Sequence, residues 1–155
     1  MKSRVRRLRD VDAVFVDYLQ LMKSGTRVES RVQEVSEITR NLKLMAKDLN
    51  IPVVVLAQLA RATEARGKSH RPQLSDLRES GSIEQDADIV IMLYRDENYT
   101  DTQDSDGAAQ EEVKAVNEAE FIISKNRHGP TNTVKVAWNG DYTLFTNLET
   151  LRNDM

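Results

Sequence analysis

The chain has 155 residues, of which 39% are hydrophobic and 30% are charged, a composition typical of one globular domain rather than of a disordered segment. It contains no cysteine and only two histidines, which excludes disulfides, thiolate metal sites and a histidine-based metal centre. The net charge of −3 argues against a generally basic nucleic-acid binder. No apolar run approaches the roughly 18 residues that span a bilayer, so we expect a cytoplasmic protein without membrane contact.

The first half of the chain predicts a strand, a long helix and a second strand. An apolar run at 13–16 ends at Asp17, and the β-branched run at 53–55, after Pro52, is typical of a buried parallel strand. Between them, apolar residues recur three or four positions apart and predict one face of an amphipathic helix: Val28, Val32, Val35, Ile38, Leu42, Met45 and Leu49.

The second half predicts further strands. Residues 89–95 read as another buried strand, and 120–127, 132–138 and 142–148 as consecutive strands joined by the turns "HGPTN" and "NGD". We therefore predict an α/β fold: a largely parallel sheet flanked by helices, followed by an antiparallel meander. The residues expected in central strands, covered on both faces, are Val14, Val16, Val53, Val55, Val90, Met92 and Ile122.

The stretch "ATEARGKS" at 62–69 meets a loose phosphate-loop pattern in which Lys68 would reach phosphates and Ser69 would bind Mg²⁺. A phosphate cradle needs glycines so that backbone N–H groups can converge on the anion, and Glu64 would bring a negative charge instead. We interpret the stretch as a basic surface loop.

A carboxylate at the end of an apolar strand has two readings. Ligands of open α/β sheets collect at the carboxyl ends of the strands, where Asp17 could hold Mg²⁺ directly or through water. The alternative is an ordinary strand that ends in a solvated acid. These residues alone leave both readings open.

Four stretches of the chain carry a family resemblance: "VFVDYLQLM", "VVVLAQLAR", "SDLRESGSIEQDADIVIMLYRDE" and "KNRHGPTNTV", which occur in the order found in that family. They resemble the bacterial replicative DNA helicases of the DnaB type, hexameric motors with a RecA-like fold. The resemblance runs from about Val5 to about Leu148 and implies that residues 1–155 are the C-terminal portion of a RecA-like helicase motor domain. The phosphate loop, the catalytic glutamate and the N-terminal collar domain of that family have no match in these stretches.

The resemblance implies roles for four nucleotide-site residues. Asp17 corresponds to the Walker B aspartate that positions Mg²⁺, and Gln58 to the glutamine that senses the γ-phosphate. Lys125 and Arg127 match the paired lysine and arginine finger; they alternate with Asn126, so we expect both to project from one side of an extended strand. A solvated basic pair on an edge strand is the alternative.

The resemblance also implies contacts with single-stranded DNA. Arg78, Glu79 and Gly81 match a loop that grips the DNA backbone in the central channel of the ring, and Arg61 belongs to a second such loop. Gly81 would permit close approach of the main chain to a phosphate, and Glu79 would contribute through its main chain.

The function implied is part of an ATP-dependent hexameric replicative helicase that unwinds duplex DNA by moving along single-stranded DNA. Its cofactors would be ATP and Mg²⁺, and its partners single-stranded DNA, five further copies of the complete protein, primase and a helicase loader. Two alternatives are a truncated, non-catalytic RecA-like module that binds helicase partners, and another RecA-like ATPase, against which "RESGSIEQDAD" speaks.

Overall fold

The computed structural model describes residues 1–8, 10–25, 28–59, 71–95 and 117–148. The chain forms two compact units, the first made of residues 1–69 with 73–88 and the second of residues 70–72 with 89–155. Within the described ranges, no helix has both the length and the apolar character needed to cross a membrane.

The first unit contains three α-helices, two short strands and two 3₁₀ segments among its described residues. In chain order they are α1 (Lys2–Arg7), β1 (Val14–Val16), a 3₁₀ segment (Leu19–Leu21), α2 (Arg31–Leu49), β2 (Val53–Val55), a second 3₁₀ segment (Leu74–Ser80) and α3 (Gly81–Asp86).

Helix α2 begins and ends where its sequence provides caps. The side chain of Ser30 accepts a hydrogen bond from the backbone N–H of Gln33 at 3.3 Å, which satisfies one of the unpaired donors of the first turn. At the other end Asn50 takes a left-handed conformation, with φ 53°, and Pro52 follows shortly after. The long helix predicted from the apolar periodicity is confirmed over Arg31–Leu49, but Val28 lies before its first residue and Val32 is 52% exposed, so these two do not belong to its buried face.

The strands β1 and β2 pair in parallel, with Val14 opposite Val53 and Val16 opposite Val55. One face of this pair and the apolar face of α2 form the core of the first unit, around Leu19, which is 1% exposed. The buried members of α2 in this core are Val35, Ile38, Leu42 and Met45.

The opposite face of the parallel pair is exposed among the described residues. Phe15 is 76% exposed and Val54 43% exposed, because successive side chains of a strand point to opposite faces. The prediction that these strands are covered on both faces is therefore wrong for the described residues: α2 packs on one face only.

The second unit is a four-stranded antiparallel sheet in the order β3 (Ile89–Arg95), β4 (Asn117–Asn126), β5 (Asn132–Asn139) and β6 (Leu144–Asn147). Its buried positions alternate with exposed ones: Val90 and Met92 are buried, whereas Ile89, Ile91 and Leu93 are exposed. The predicted C-terminal meander is confirmed.

Two details of the predicted sheet are corrected. Val90, Met92 and Ile122 belong to an antiparallel ladder that does not include β1 or β2, so one largely parallel sheet is wrong for these strands. The "NGD" hairpin has a longer loop than its Asn-Gly pair predicts, because Asn139 pairs with Leu144 and Thr143, with φ 51°, occupies the left-handed position.

Candidate functional site

The parallel pairing of β1 and β2 brings two predicted site residues to one edge. Asp17 follows β1 directly, and Gln58 lies three residues beyond the end of β2. Both side chains are exposed, and both line one open cleft together with Tyr18, Leu56 and Ala57. Because parallel strands present their carboxyl ends at the same edge, this is the arrangement expected of a ligand site in an α/β sheet.

Main-chain hydrogen bonds continue the pairing beyond the strands. Leu56 N–H donates to the carbonyl of Val16 at 2.9 Å, and Leu19 N–H donates to the carbonyl of Leu56 at 2.8 Å. The segments that carry Asp17 and Gln58 are therefore tied to each other and do not depend on the strands alone.

The donor set at this edge suits Mg²⁺ better than a metal that needs several protein ligands. Among the described residues there is no group of three or more histidine, cysteine, aspartate or glutamate side chains that could hold a metal ion. A single exposed carboxylate such as Asp17 fits Mg²⁺, which keeps several waters and uses one or two carboxylates together with substrate phosphates.

Lys125 lies near the end of β4, just after an irregularity in the sheet. The register with β3 shifts by one residue there, leaving Ser124 as the extra residue of a β-bulge. The bulge pairs Lys125 with the buried Val90, whereas an unbroken ladder would pair it with the exposed Ile89. It therefore moves Lys125 to the other face of the sheet.

Arg127 lies in the turn after β4, not in the strand, so the predicted alternation along an extended strand applies to Lys125 only. The side chain of Asn126 organises this turn: it donates to the carbonyl of Pro130 at 3.2 Å and accepts from the N–H of His128 at 3.3 Å. A Cβ atom at Gly129 would lie 2.7 Å from the Asn126 amide nitrogen, so only glycine fits this turn without displacing that side chain.

The predicted DNA-contacting residues are described to different extents. Arg78 and Glu79 lie in the 3₁₀ segment Leu74–Ser80, and at these two positions only the backbone is described. Arg61 and the "ATEARGKS" stretch lie outside the described residues. Gly81 begins α3, and a Cβ atom there would meet nothing within 4 Å. Packing within the described chain therefore does not require glycine at this position.

Buried polar contacts hold the 3₁₀ segment and α3 in place. Asp76, itself buried, accepts from the N–H of Gln73 at 2.8 Å and caps the start of the segment. At the end of α3, Asp86 accepts a 2.7 Å hydrogen bond from the hydroxyl of Thr39 on α2. Asp76 thus fixes the start of the segment that includes Arg78 and Gly81, and Asp86 ties the end of α3 to α2.

Three further polar residues hold these segments and were not singled out from the sequence. Gln20 bonds to the main chain of Gln58, Arg31 bonds to the loop after β1, and Asn126 shapes the turn of Arg127. Asn126 and Gln20 are polar residues close in sequence to predicted site residues, whereas no such signal points to Arg31.

Comparison with known proteins identifies the family. The model of the DnaB-like helicase C-terminal domain matches residues 1–147. The replicative DNA helicase DnaB of Leifsonia xyli subsp. xyli is 48% identical over 151 residues, which are 96% of this chain and 31% of that relative.

Two solved structures are similar in fold as well as in sequence. A solved ATPase domain has a TM-score of 0.78 and 42% identity, over 96% of this chain and 50% of that one. A DnaB-like replicative helicase, solved with its interactions with primase, has a TM-score of 0.78 and 42% identity, over 96% of this chain and 34% of that one. The predicted fold class is confirmed at this level.

The chain spans about a third of the length of the curated relative that it matches. The matched region nevertheless covers nearly all of its own residues. The chain therefore belongs to the family of DnaB-like helicase C-terminal domains.

Proposed function

We propose that this chain is the C-terminal part of the motor domain of an ATP-dependent, hexameric replicative DNA helicase that unwinds duplex DNA by translocating on single-stranded DNA. One observation carries the proposal: the parallel pairing of β1 and β2 brings Asp17 and Gln58 to one exposed cleft at the carboxyl edge of the strands. Family membership supports the assignment of that cleft to a nucleotide.

In this proposal Asp17 would hold Mg²⁺ directly or through water, and the bound ion would supply charge neutralisation at the phosphate oxygens of ATP. Gln58 hydrogen-bonds a terminal phosphate oxygen, since an amide reports the phosphate without adding charge. Lys125 and Arg127 act on the nucleotide held by a neighbouring subunit, where a guanidinium stabilises charge on the transferring phosphoryl group.

DNA binding in this proposal is sequence-independent. Arg61, Arg78 and the main chain at Glu79 and Gly81 follow the phosphate backbone of single-stranded DNA. The open space around Gly81 supports close approach of a phosphate to the main chain. Primase, with which one structural neighbour interacts, and a helicase loader are the proposed protein partners. The complete protein is proposed to act in the cytoplasm.

A second candidate is a non-catalytic module that binds helicase partners. The observation in its favour is the exposed apolar face of the parallel pair, formed by Phe15 and Val54 and continued by Leu56. Contiguous exposed apolar surface of this kind marks contact with another protein segment.

We expect the 155-residue chain alone not to hydrolyse ATP at a useful rate, because positioning and electrostatics supply nearly all catalysis in phosphoryl transfer and the matched stretches contain no phosphate loop.

A chimera separates the two candidates. Residues 1–147 of this chain replace the matched segment of the Leifsonia xyli relative, and ATP hydrolysis and DNA unwinding are measured with and without Mg²⁺. We expect a Mg²⁺-dependent ATPase that Asp17→Ala abolishes, whereas Asp12→Ala, which removes an exposed carboxylate before β1, retains the parent rate. Asp17→Ala hydrolysing like the parent refutes the helicase assignment of the cleft, and an assembled but inactive parent chimera favours the non-catalytic module.

A further inference from the structure

The side chain of Gln20 pairs with the main chain of the proposed phosphate sensor. Its amide nitrogen donates to the carbonyl of Gln58 at 2.9 Å, and its amide oxygen accepts from the N–H of Gln58 at 3.3 Å. Gln58 lies beyond the last residue of β2, where the strand no longer supplies regular pairing. The side-chain amide of Gln20 thus extends, to Gln58, the hydrogen-bonded pairing that Leu56 makes with Val16.

Both bonds use main-chain atoms of Gln58. The carboxamide of Gln58 is therefore not consumed by the contact and stays exposed in the cleft beside Asp17. A contact that fixes the backbone of a residue while leaving its functional group exposed has the form expected of positioning.

Gln20 is itself held by the first residue of α2. The guanidinium of Arg31 donates to the carbonyl of Gln20 at 2.8 Å and to that of Met22 at 3.2 Å, and it pairs with Glu34 one helical turn on. Glu34 also accepts from the N–H of Ser24 at 3.0 Å. The loop from Gln20 to Ser24 is therefore fastened to the capped start of α2.

The charge on Glu34 favours this arrangement at neutral pH. The N–H of Ser24 and the Arg31 guanidinium hold the pKa of the Glu34 carboxyl below its ordinary value. Glu34 is therefore ionised and retains both bonds under ordinary conditions.

We propose that Gln20 is a positioning residue for hydrolysis, which fixes the main chain of Gln58 so that its carboxamide meets the terminal phosphate, and that Arg31 supports it from α2. The inference rests on the proposed function. It connects helix α2 to the phosphate contact through named hydrogen bonds, and it assigns a role to a residue that never touches the nucleotide.

The test uses the chimera described above and the variant Gln20→Leu, which removes both bonds to Gln58. Small misplacements of a reacting group slow catalysis steeply, so we expect kcat for ATP to fall about 10- to 100-fold. KM for ATP stays within about twofold, because binding by other groups is retained. Gln33→Leu makes the same change at an exposed position of α2 and is expected to leave kcat unchanged.

A double variant separates positioning from a merely structural role. If Gln20 acts through Gln58, adding Gln20→Leu to Gln58→Ala causes less than about a twofold further loss. A further loss equal to that of the single variant overturns the proposal. Gln20→Glu keeps the acceptor for the Gln58 N–H but loses the donor to the Gln58 carbonyl, so its kcat is expected to lie between those of the parent and Gln20→Leu. If Gln20→Leu does not fold, Gln20→Glu replaces it in the double-variant experiment.

The outcomes distinguish this inference from the proposed function. Hydrolysis unaffected by both Asp17→Ala and Gln58→Ala means that the proposed function is wrong. If those two variants lose activity while Gln20→Leu matches the parent, only the positioning role is wrong. Arg31→Met is expected to lower kcat less than Gln20→Leu does. A raised KM for ATP with unchanged kcat would mean that Arg31 does not support the positioning role of Gln20.

Discussion

The two units place their candidate site residues by different means. In the first, Asp17 and Gln58 follow parallel strands that pack on α2, and main-chain bonds continue past the strand ends. In the second, Lys125 follows a bulge and Arg127 lies in a turn shaped by the side chain of Asn126. Topology determines the first placement, whereas a strand irregularity and a local side-chain contact determine the second.

This difference has a consequence for how each region responds to change. The edge near Asp17 is backed by a buried core, so it should move only when that core or the Gln20 contact is disturbed. The turn at Arg127 is exposed, and two hydrogen bonds of the Asn126 side chain shape it, so a methyl group added at Gly129 should displace that side chain.

The largest effect is expected at Arg127. In the chimera, Arg127→Ala should lower ATP hydrolysis by about 10³- to 10⁵-fold, the range found for arginine fingers in other phosphoryl-transfer enzymes. Nucleotide binding should be nearly unchanged, because the proposed finger would act on a neighbouring subunit's nucleotide. Arg40→Ala, at an exposed position of α2, is the control. Hydrolysis at the parent rate would mean that Arg127 is a solvated basic residue.

The next effect tests the scaffold of the first unit. Leu42, 6% exposed on α2, packs in the core, and Leu42→Ala should lower the free energy of unfolding by about 2–5 kcal/mol. Leu44, which is 49% exposed on the same helix, is the matched control, and Leu44→Ala should change the free energy of unfolding by less than about 0.5 kcal/mol. Denaturant unfolding of the 155-residue chain measures both, and equal losses would contradict the assigned packing.

A smaller change should sharpen the description of the second unit. Gly129→Ala places a Cβ atom against Asn126, at a distance of 2.7 Å, and should break the bonds that shape the turn. We expect the ATPase rate of the chimera to fall about 10-fold through misplacement of Arg127. Gly140→Ala, whose Cβ atom would lie 3.7 Å from Trp138, is the control and should retain the rate. Similar rates for both variants would show that this turn does not position Arg127.

The smallest effect concerns the pH dependence of stability. The pKa of Glu34 is held below its ordinary value by the Ser24 N–H and by Arg31, so its ionised form stabilises the folded state. That contribution is present above the ordinary glutamate pKa of 4.5 and is lost as the pH falls through the lower folded value. Glu34→Gln should therefore reduce stability at neutral pH and flatten its acid dependence; a parallel pH profile for parent and variant would refute the contribution.

The first unit could be predicted from sequence to a large extent. The spacing of apolar residues predicted α2, and the end of an apolar strand predicted an edge position for Asp17, whereas Gln58 was assigned through the family resemblance alone. Both predictions depend on periodicity and on the geometry of parallel strands, which are properties of short stretches of sequence. The Gln20 contact depends on a tertiary approach that no spacing encodes.

The second unit could be predicted only in outline. The meander followed from its turn signals, but the antiparallel pairing of β3 with β4 requires a choice of partner strand, which the apolar run at 89–95 leaves open. The bulge at Ser124 and the turn position of Arg127 depend on cross-strand register, so strand alternation alone misplaced Arg127. The roles of Lys125 and Arg127 therefore stay predictions.

The most direct test of the account asks whether the two regions act on one nucleotide across a subunit boundary. Chimeras with Asp17→Ala and with Arg127→Ala, each inactive alone, are mixed and allowed to form shared rings, and ATP hydrolysis is measured against the mixing ratio with nucleotide binding as the check on folding. Some interfaces then pair an intact Asp17 with an intact neighbouring Arg127, and we predict partial hydrolysis that peaks at intermediate ratios. No hydrolysis at any ratio, from mixed rings that still bind nucleotide, would contradict the account.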